Sequence, residues 1–410
     1  MKIRDFFKFL GISAIATSMP AAAKTIKPKV VIIGGGYGGR TVAKYLKIWA
    51  GDSVDVTLID KDRYFTSPIL SNLVLNGQKN INELRFDYSK TRSKYKINFI
   101  NKTASFIDKK NKRVFFDNKN FINYDKLVLA TGIDFIKTNN YDFNKVPHAW
   151  IAGEQTLLLK RKIDNLHNGD TFVLTIPKAP YRCPPGPYER ACVVADYLKN
   201  KKHLHVNVVV LDENDDILVE KESFQKAFDR YGIEYKSNAK VTHVDDSHLI
   251  VTYEQQGVSK HLKAALLNVI PNQKAAPIVI NSHLTDSSNF APVDLRSYES
   301  TIAKDIYIVG DSHKSTQPKA GHIANVEAKI CADAILRSLN GYELYPKPKT
   351  NSACYSPLSS STATWLTAVY EYDEGSKSMK KVSGGAGKES SKNYKEMFNW
   401  TGNLFFDTFG

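Results

Sequence analysis

The chain has 410 residues, of which 42% are hydrophobic, 11% aromatic and 24% charged, with only 4 cysteines; this supports two or three domains with real cores and excludes disordered, collagenous and disulfide-stapled classes. Its 57 lysines and arginines exceed 42 acids for a net charge of +15, which favours acidic partners, anionic cofactors or a membrane surface. The lysines are scattered without a compact basic tract interleaved with aromatics, so nucleic acid is not indicated, and no run of eighteen apolar residues is present to form a transmembrane helix.

The chain opens with Lys2, Arg4 and Lys8, a mostly apolar stretch from Phe9 to Met19, and small residues at Ala21, Ala22 and Ala23. This is the layout of an export leader, with residues 1–23 removed and Lys24 as the mature N-terminus. The tract from Lys2 to Lys8 is similar to a twin-arginine signal, although Ile3 stands where the first arginine belongs. A periplasmic protein is therefore expected, against the plainer reading of a short amphipathic start on a cytoplasmic one. The compartment bears on the chemistry, because disulfides persist outside the reducing cytoplasm.

Lys29 to Ile33 reads as a buried strand, Gly34-Gly35-Gly36-Tyr37-Gly38-Gly39 as a tight turn, and Arg40 to Trp49 as a helix. Gly34, Gly36 and Gly39, with Gly38 between them, take the glycine places of a dinucleotide fingerprint: a sharp turn, close backbone approach to a pyrophosphate, and close helix–strand packing. The phosphates would rest on free N–H groups at the helix start, where the helix dipole favours negative charge. A second strand from Val54 to Ile59 ends in Asp60, placed to accept hydrogen bonds from a ribose.

FAD and NAD share this turn, so later segments must choose between them. Tyr124 to Ala130 is a buried strand closed by Thr131 and Gly132, and Ile306 to Val309 is another, closed by Gly310 and Asp311. Both resemble the secondary marks of the two-dinucleotide-binding-domain flavoproteins, the glutathione-reductase-like family. The resemblance implies FAD, with Asp311 bonding its ribityl chain. Such proteins usually carry a second glycine turn for NAD(P)H after a strand that here runs from Thr171 to Ile176. In place of that turn stands Pro177-Lys178-Ala179-Pro180-Tyr181-Arg182-Cys183-Pro184-Pro185-Gly186-Pro187. Proline has no N–H to offer a phosphate, so the second domain is expected to keep its shape without its nucleotide.

Cys183 sits in this stiff loop before a helix expected near Tyr188, where a helix N-terminus would lower its pKa. Cys192 and Cys331 fall in helical, apolar stretches and read as packing residues. Cys354 reads as a loop residue after Pro346 and Pro348. Two loop cysteines make a plausible pair, but four cysteines allow three full pairings and spacing does not choose. No C-x-x-C-H for covalent haem and no zinc spacing is present.

The stretches from Pro147 to Thr156 and from Arg182 to Ala191, and the closing Asp407-Thr408-Phe409-Gly410, resemble the flavoprotein subunit of flavocytochrome c sulfide dehydrogenase. The resemblance extends over essentially the whole mature chain. It implies that Cys183 and Cys354 form a redox-active disulfide beside the flavin, and that the partner is a small c-type cytochrome, so that haem is carried only on that subunit. Well-known members attach FAD through a cysteine in a segment matching Phe65 to Asn72; Pro68 takes that place here, so FAD is expected to be non-covalent. The implied chemistry is attack of hydrosulfide on the disulfide, followed by electron transfer through flavin to haem. Glu189 would move protons or simply answer the helix dipole. The helix expected after Lys319 and Gly321, running through Leu339, would face the pyrimidine end of the flavin.

Two alternatives remain. A sulfide:quinone oxidoreductase has a related fold and a cysteine pair, but needs membrane contact; the Gly/Ser/Lys-rich stretch from Gly375 to Lys392 and the short aromatic end from Trp400 to Phe409 predict no long apolar helical face. The other is a flavin-binding partner protein without turnover. The expected fold is α/β: an FAD-binding Rossmann-type domain (24–140 and 277–345) interrupted by a second Rossmann-like domain (141–276), plus a C-terminal α+β region (346–410).

Overall fold

The computed structural model describes residues 27–116 and 119–410; the expected leader lies outside them. Lys29–Ile33 is the centre of the first sheet, pairing in parallel with Asp55–Asp60 on one side and Lys126–Leu129 on the other. Asn98–Asn101 and Ile306–Ile308 extend the parallel array at its two sides, and the short antiparallel strands Val293–Asp294 and Glu299–Ser300 close one edge. The central strand is nearly all apolar because both faces are covered. Val30 and Ile32 pack with Ala43, Leu46, Cys331 and Ile335 of the helices Tyr37–Ala50 and Gly321–Leu339, whereas Val31 and Ile33 face Ile278 and Val279 on the other side. Successive connections leave the central strand in opposite directions, so the crevice for a ligand opens where its carboxyl end meets the glycine turn.

A second parallel sheet, in the order Glu234–Lys236, Asn207–Asp212, Thr171–Ile176, Leu266–Val269, repeats this plan. It is flanked by the helices Glu154–Asp164, Gly186–Asp196 and Lys221–Tyr231. The antiparallel strands Ile133–Ile136 and Asn272–Ala275 form the ribbon through which the chain leaves the first sheet and returns to it.

The C-terminal region departs from the sequence expectation. Cys354 lies not in a loop but in the strand Lys349–Pro357, which pairs with Ala363–Asp373 and, beyond it, Ser378–Ser390 in an antiparallel sheet. The glycine-rich stretch is therefore mostly a strand. At Gly387 a β-carbon would collide with the indole of Trp365, so the missing side chain lets that ring lie across the neighbouring strand. The aromatic end belongs to a 19-residue helix, Ser391–Phe409, capped by the Ser390 hydroxyl, which accepts from the Asn393 amide at 3.1 Å. Its last carbonyls are satisfied by a cation: Lys44 Nζ donates to Phe406, Asp407 and Gly410 at 3.1, 2.8 and 3.3 Å. Phe409 stacks on Phe86 at 4.2 Å and meets the Tyr37 ring at 5.2 Å, fastening the end of the chain over the first helix. Among the described residues no helix is long and apolar enough to cross a membrane.

Candidate functional site

The first glycine turn is shaped for close approach. Gly34 holds φ +103°, and a β-carbon there would strike the Ala130 carbonyl; one at Gly39 would strike the Gly34 carbonyl. No side chain caps the helix that begins at Tyr37, which leaves its N-terminus available to an anion. Asp60 is fixed at the turn, accepting from the Gly35 amide at 2.5 Å and the Asp62 amide at 2.8 Å. Across the sheet end, Gly38 meets Val309, and Gly310 (φ +75°) donates its amide to Glu327 Oε2 at 2.8 Å. Gly132 (φ +69°) accepts from Ser312 Oγ, and Thr131 Oγ1 lies 3.5 Å from the same hydroxyl. Asp311 has a buried Oδ1 with no protein partner, and burial raises its pKa. An orphaned carboxylate oxygen in this place suits a ligand hydroxyl. The turn, the uncapped helix and this oxygen together fit FAD, which Gly34, Gly36, Gly38, Gly39, Asp60 and Asp311 would hold.

A cleft of about 830 Å³ opens beside this cradle, lined by Pro68 to Asn72, Trp150, Cys183, Glu189, Gly321, His322, Cys354 and Trp400 among others. It brings together Cys183 and Cys354, which sequence separates widely; both are free thiols partly exposed to it. Cys183 has a left-handed φ of +58° and is pinned by its amide to the Lys319 carbonyl at 2.7 Å. Gly186 begins the next helix, two residues before the expected start, and a β-carbon there would press on Cys183 Sγ. The expected low thiol pKa is corrected: burial, then the charge of Glu189, push Cys183 up to about 12, against the pull of Arg182 and the Gly186 amide. The helix N-terminus acts in the foreseen direction, but desolvation outweighs it. Cys354 is also raised, by burial and then by Cys183, Glu220 and Glu189.

Glu189 lines the cleft from the first turn of that helix, and burial pushes its pKa up to about 8. Asn72 Nδ2 donates to its Oε1 at 2.9 Å, while Arg190 Nε donates to Asn72 Oδ1 at 3.0 Å. Arg190 is in turn spread over the carbonyls of His148 and Ala149 at 3.0 and 2.7 Å. His322 accepts the Ala353 amide on Nδ1 at 3.0 Å, and burial holds it neutral, near pKa 4, so Nε2 carries the hydrogen. Lys319 is not solvated: its Nζ donates to the Asp311 and His313 carbonyls at 2.9 and 2.7 Å, and burial lowers its pKa to about 8. Arg182, to which the sequence assigns no role, lies 4.0 Å from Asp311 Oδ2 and donates to the Trp150 carbonyl. Glu220 stands in no motif, and nothing in the sequence singles it out.

The second turn is closed. Lys178, Ala179, Arg182, Cys183 and Gly186 already donate their amides to Glu213, Asn214, Gln273, Lys319 and Cys183 respectively. Asp212, at the place corresponding to Asp60, is fully buried: Oδ1 accepts from the Asn214 amide at 2.9 Å, and Oδ2 accepts from the hydroxyls of Tyr188 at 2.7 Å and Tyr235 at 2.9 Å. Two tyrosines occupy the acid that a ribose would need.

Fold and site define a flavoprotein of the pyridine nucleotide-disulphide oxidoreductase class, whose family model matches residues 28–164. The rest of the chain is more particular: residues 156–271 match the central segment of the sulfide dehydrogenase (flavocytochrome c) flavoprotein chain, and residues 346–409 match the flavin-binding segment of flavocytochrome c sulphide dehydrogenase. Together these matches support a flavocytochrome c sulfide dehydrogenase flavoprotein subunit, an FAD-binding oxidoreductase of the sulfide-oxidising kind. It is 24% identical over 376 residues to the mitochondrial sulfide:quinone oxidoreductase of Dictyostelium discoideum, covering 84% of this chain and 78% of that protein. A type II NADH:quinone oxidoreductase of Staphylococcus epidermidis is 35% identical over 107 residues, only 26% of each chain. The sulfide:quinone oxidoreductase structure from Aquifex aeolicus shares the fold, with TM-score 0.79 at 18% identity over 93% of this chain and 91% of that one.

Proposed function

We propose that this protein is an exported sulfide dehydrogenase that oxidises sulfide at a Cys183–Cys354 pair and passes the electrons through FAD to a c-type cytochrome. The observation that carries this reading is the meeting of the two cysteines and Glu189 in one cleft beside the flavin cradle, while the second nucleotide position is filled by the protein itself. In the oxidised protein, hydrosulfide attacks one sulfur of the pair; the new S–S bond leaves a persulfide on that cysteine, and the broken one leaves a thiolate on the other. Bound FAD supplies the two-electron acceptor that can release electrons singly to a haem. With Oε1 of Glu189 occupied by the Asn72 amide, Oε2 is the atom that holds or yields a proton as sulfur leaves. Gly186 keeps the helix start against Cys183, and Arg182 offsets negative charge on that sulfur.

The test is anaerobic addition of sulfide to the purified holoprotein, watching the flavin bleach and then recover on addition of a c-type cytochrome. Bleaching by NADH instead would overturn the reading. A quinone acceptor is the second reading, favoured by the C-terminal helix that the sequence did not foresee and by Phe406, 68% exposed on it. Recovery with a soluble quinone but not with cytochrome would select it. A flavin-binding partner without turnover predicts no bleaching at all.

A further inference from the structure

Glu220 begins the helix Lys221–Tyr231, and its backbone is left-handed, at φ +52° and ψ +32°. Glycine or asparagine fills that conformation with less strain, so a glutamate there points to a use for its side chain. The carboxylate turns inward. Oε2 accepts from Ser356 Oγ at 2.8 Å, and Oε1 is buried with no protein partner. Ser356 lies two residues beyond Cys354 on the same strand, hence on the same face, where side chains repeat at roughly 7 Å. The carboxylate thus stands on the Cys354 side of the pair, as Glu189 stands on the Cys183 side.

We propose that Glu220 is a positioning residue that disfavours negative charge on Cys354, so that hydrosulfide attacks the Cys354 sulfur, the new S–S bond leaves the persulfide there, and the broken Cys183–Cys354 bond leaves its thiolate on Cys183. This rests on the cysteine-pair reading above. The groups around Glu220 leave it free to act in this way. Glu189 approaches from the helix Gly186–Asp196, and Cys354 from its strand. Thr364 faces it from the adjacent strand with its hydroxyl already donating to the Gly387 carbonyl. The nearest cation in sequence, Lys221, is paired with Asp216. Cys354 therefore meets only negative neighbours, whereas Cys183 also has Arg182. Burial holds Glu220 itself up to about 7, with the Ser356 hydroxyl lowering it, so its charge changes near neutrality.

The test titrates Cys354 by its ultraviolet thiolate absorbance in reduced, flavin-containing Cys183→Ser protein. Adding Glu220→Gln removes the opposing charge and moves the Cys354 curve to lower pH by about one unit. Ser356→Ala is the control: Glu220 is ionised with or without that hydroxyl at the pH where Cys354 titrates, so the curve stays in place. A Cys354 curve that is the same with Glu or Gln at position 220 overturns the proposal; if the Gln protein loses its flavin, Glu220→Ala is read in the same way. Sulfide addition to the parent is run separately. Failure to bleach there refutes the sulfide reading, while the titration still decides Glu220.

Discussion

At the end of Lys29–Ile33 the chain turns through glycines, leaves a helix start uncapped and continues to Asp60; at the end of Thr171–Ile176 it turns through prolines, commits its amides, and continues to Asp212 under two tyrosines. Both corners are strand, turn and helix at the centre of a parallel sheet. The difference teaches that the architecture of a nucleotide site and its occupancy are separable. Backbone donors and one half-buried acid make the site, and hydroxyls from within the protein can take the ligand's place at little cost to the fold. What the second corner gives up as a phosphate cradle it gains as a rigid mount for Cys183.

Making the first corner resemble the second has the largest effect. Gly39→Ala drives a β-carbon into the Gly34 carbonyl, with an expected loss of about 3 kcal/mol; the purified protein should lack visible flavin absorbance and melt earlier. Removing what the second corner gained comes next. Cys183→Ser or Cys354→Ser should retain the flavin spectrum while sulfide-driven bleaching falls to background.

A smaller change is expected from Glu189→Gln, which slows sulfide-driven bleaching by about 100-fold. Because the pKa of Glu189 is raised to about 8, the parent carries a proton there below that pH and loses it above. The pH–rate profile of the parent should therefore bend near 8, and that of the Gln variant should not. Trying to reopen the second corner should fail: Tyr188→Phe with Tyr235→Phe strips both donors from Asp212 Oδ2 and costs about 1–3 kcal/mol in thermal unfolding. NADH should still not bleach the flavin, since the loop amides stay occupied. The smallest expectation concerns attachment. Pro68 lines the cleft and cannot form a thioether, so acid precipitation should release the flavin into the supernatant.

Much of this is legible in the sequence because it is local. The apolar run Lys29–Ile33 matches the observed bounds of the first strand, and the long helix ends at Leu339, as its pattern predicts; apolar runs next to glycine turns need little tertiary information. The proline loop's loss of amide donors comes from the chemistry of one residue type. The C-terminal region is illegible for the opposite reason. Ser378–Ser390 has no apolar alternation strong enough to announce a strand, and becomes one because Ala363–Asp373 supplies its hydrogen bonds and Trp365 needs its glycines. Helix Ser391–Phe409 is held by Lys44 and by stacking on Phe86, contacts made across most of the chain's length.

The amino-acid order by itself determined the two Rossmann-like corners, the fitness of the first for a dinucleotide and the unfitness of the second, because backbone geometry and donor count are properties of glycine and proline wherever they stand. Tertiary structure alone decided the surroundings of the two thiols: their shared cleft, the burial that raises both pKa values, the neutral His322 and the carboxylate of Glu220. Desolvation and charge act through space, and the groups that impose them on Cys183 and Cys354 come from segments that meet only once the chain has folded.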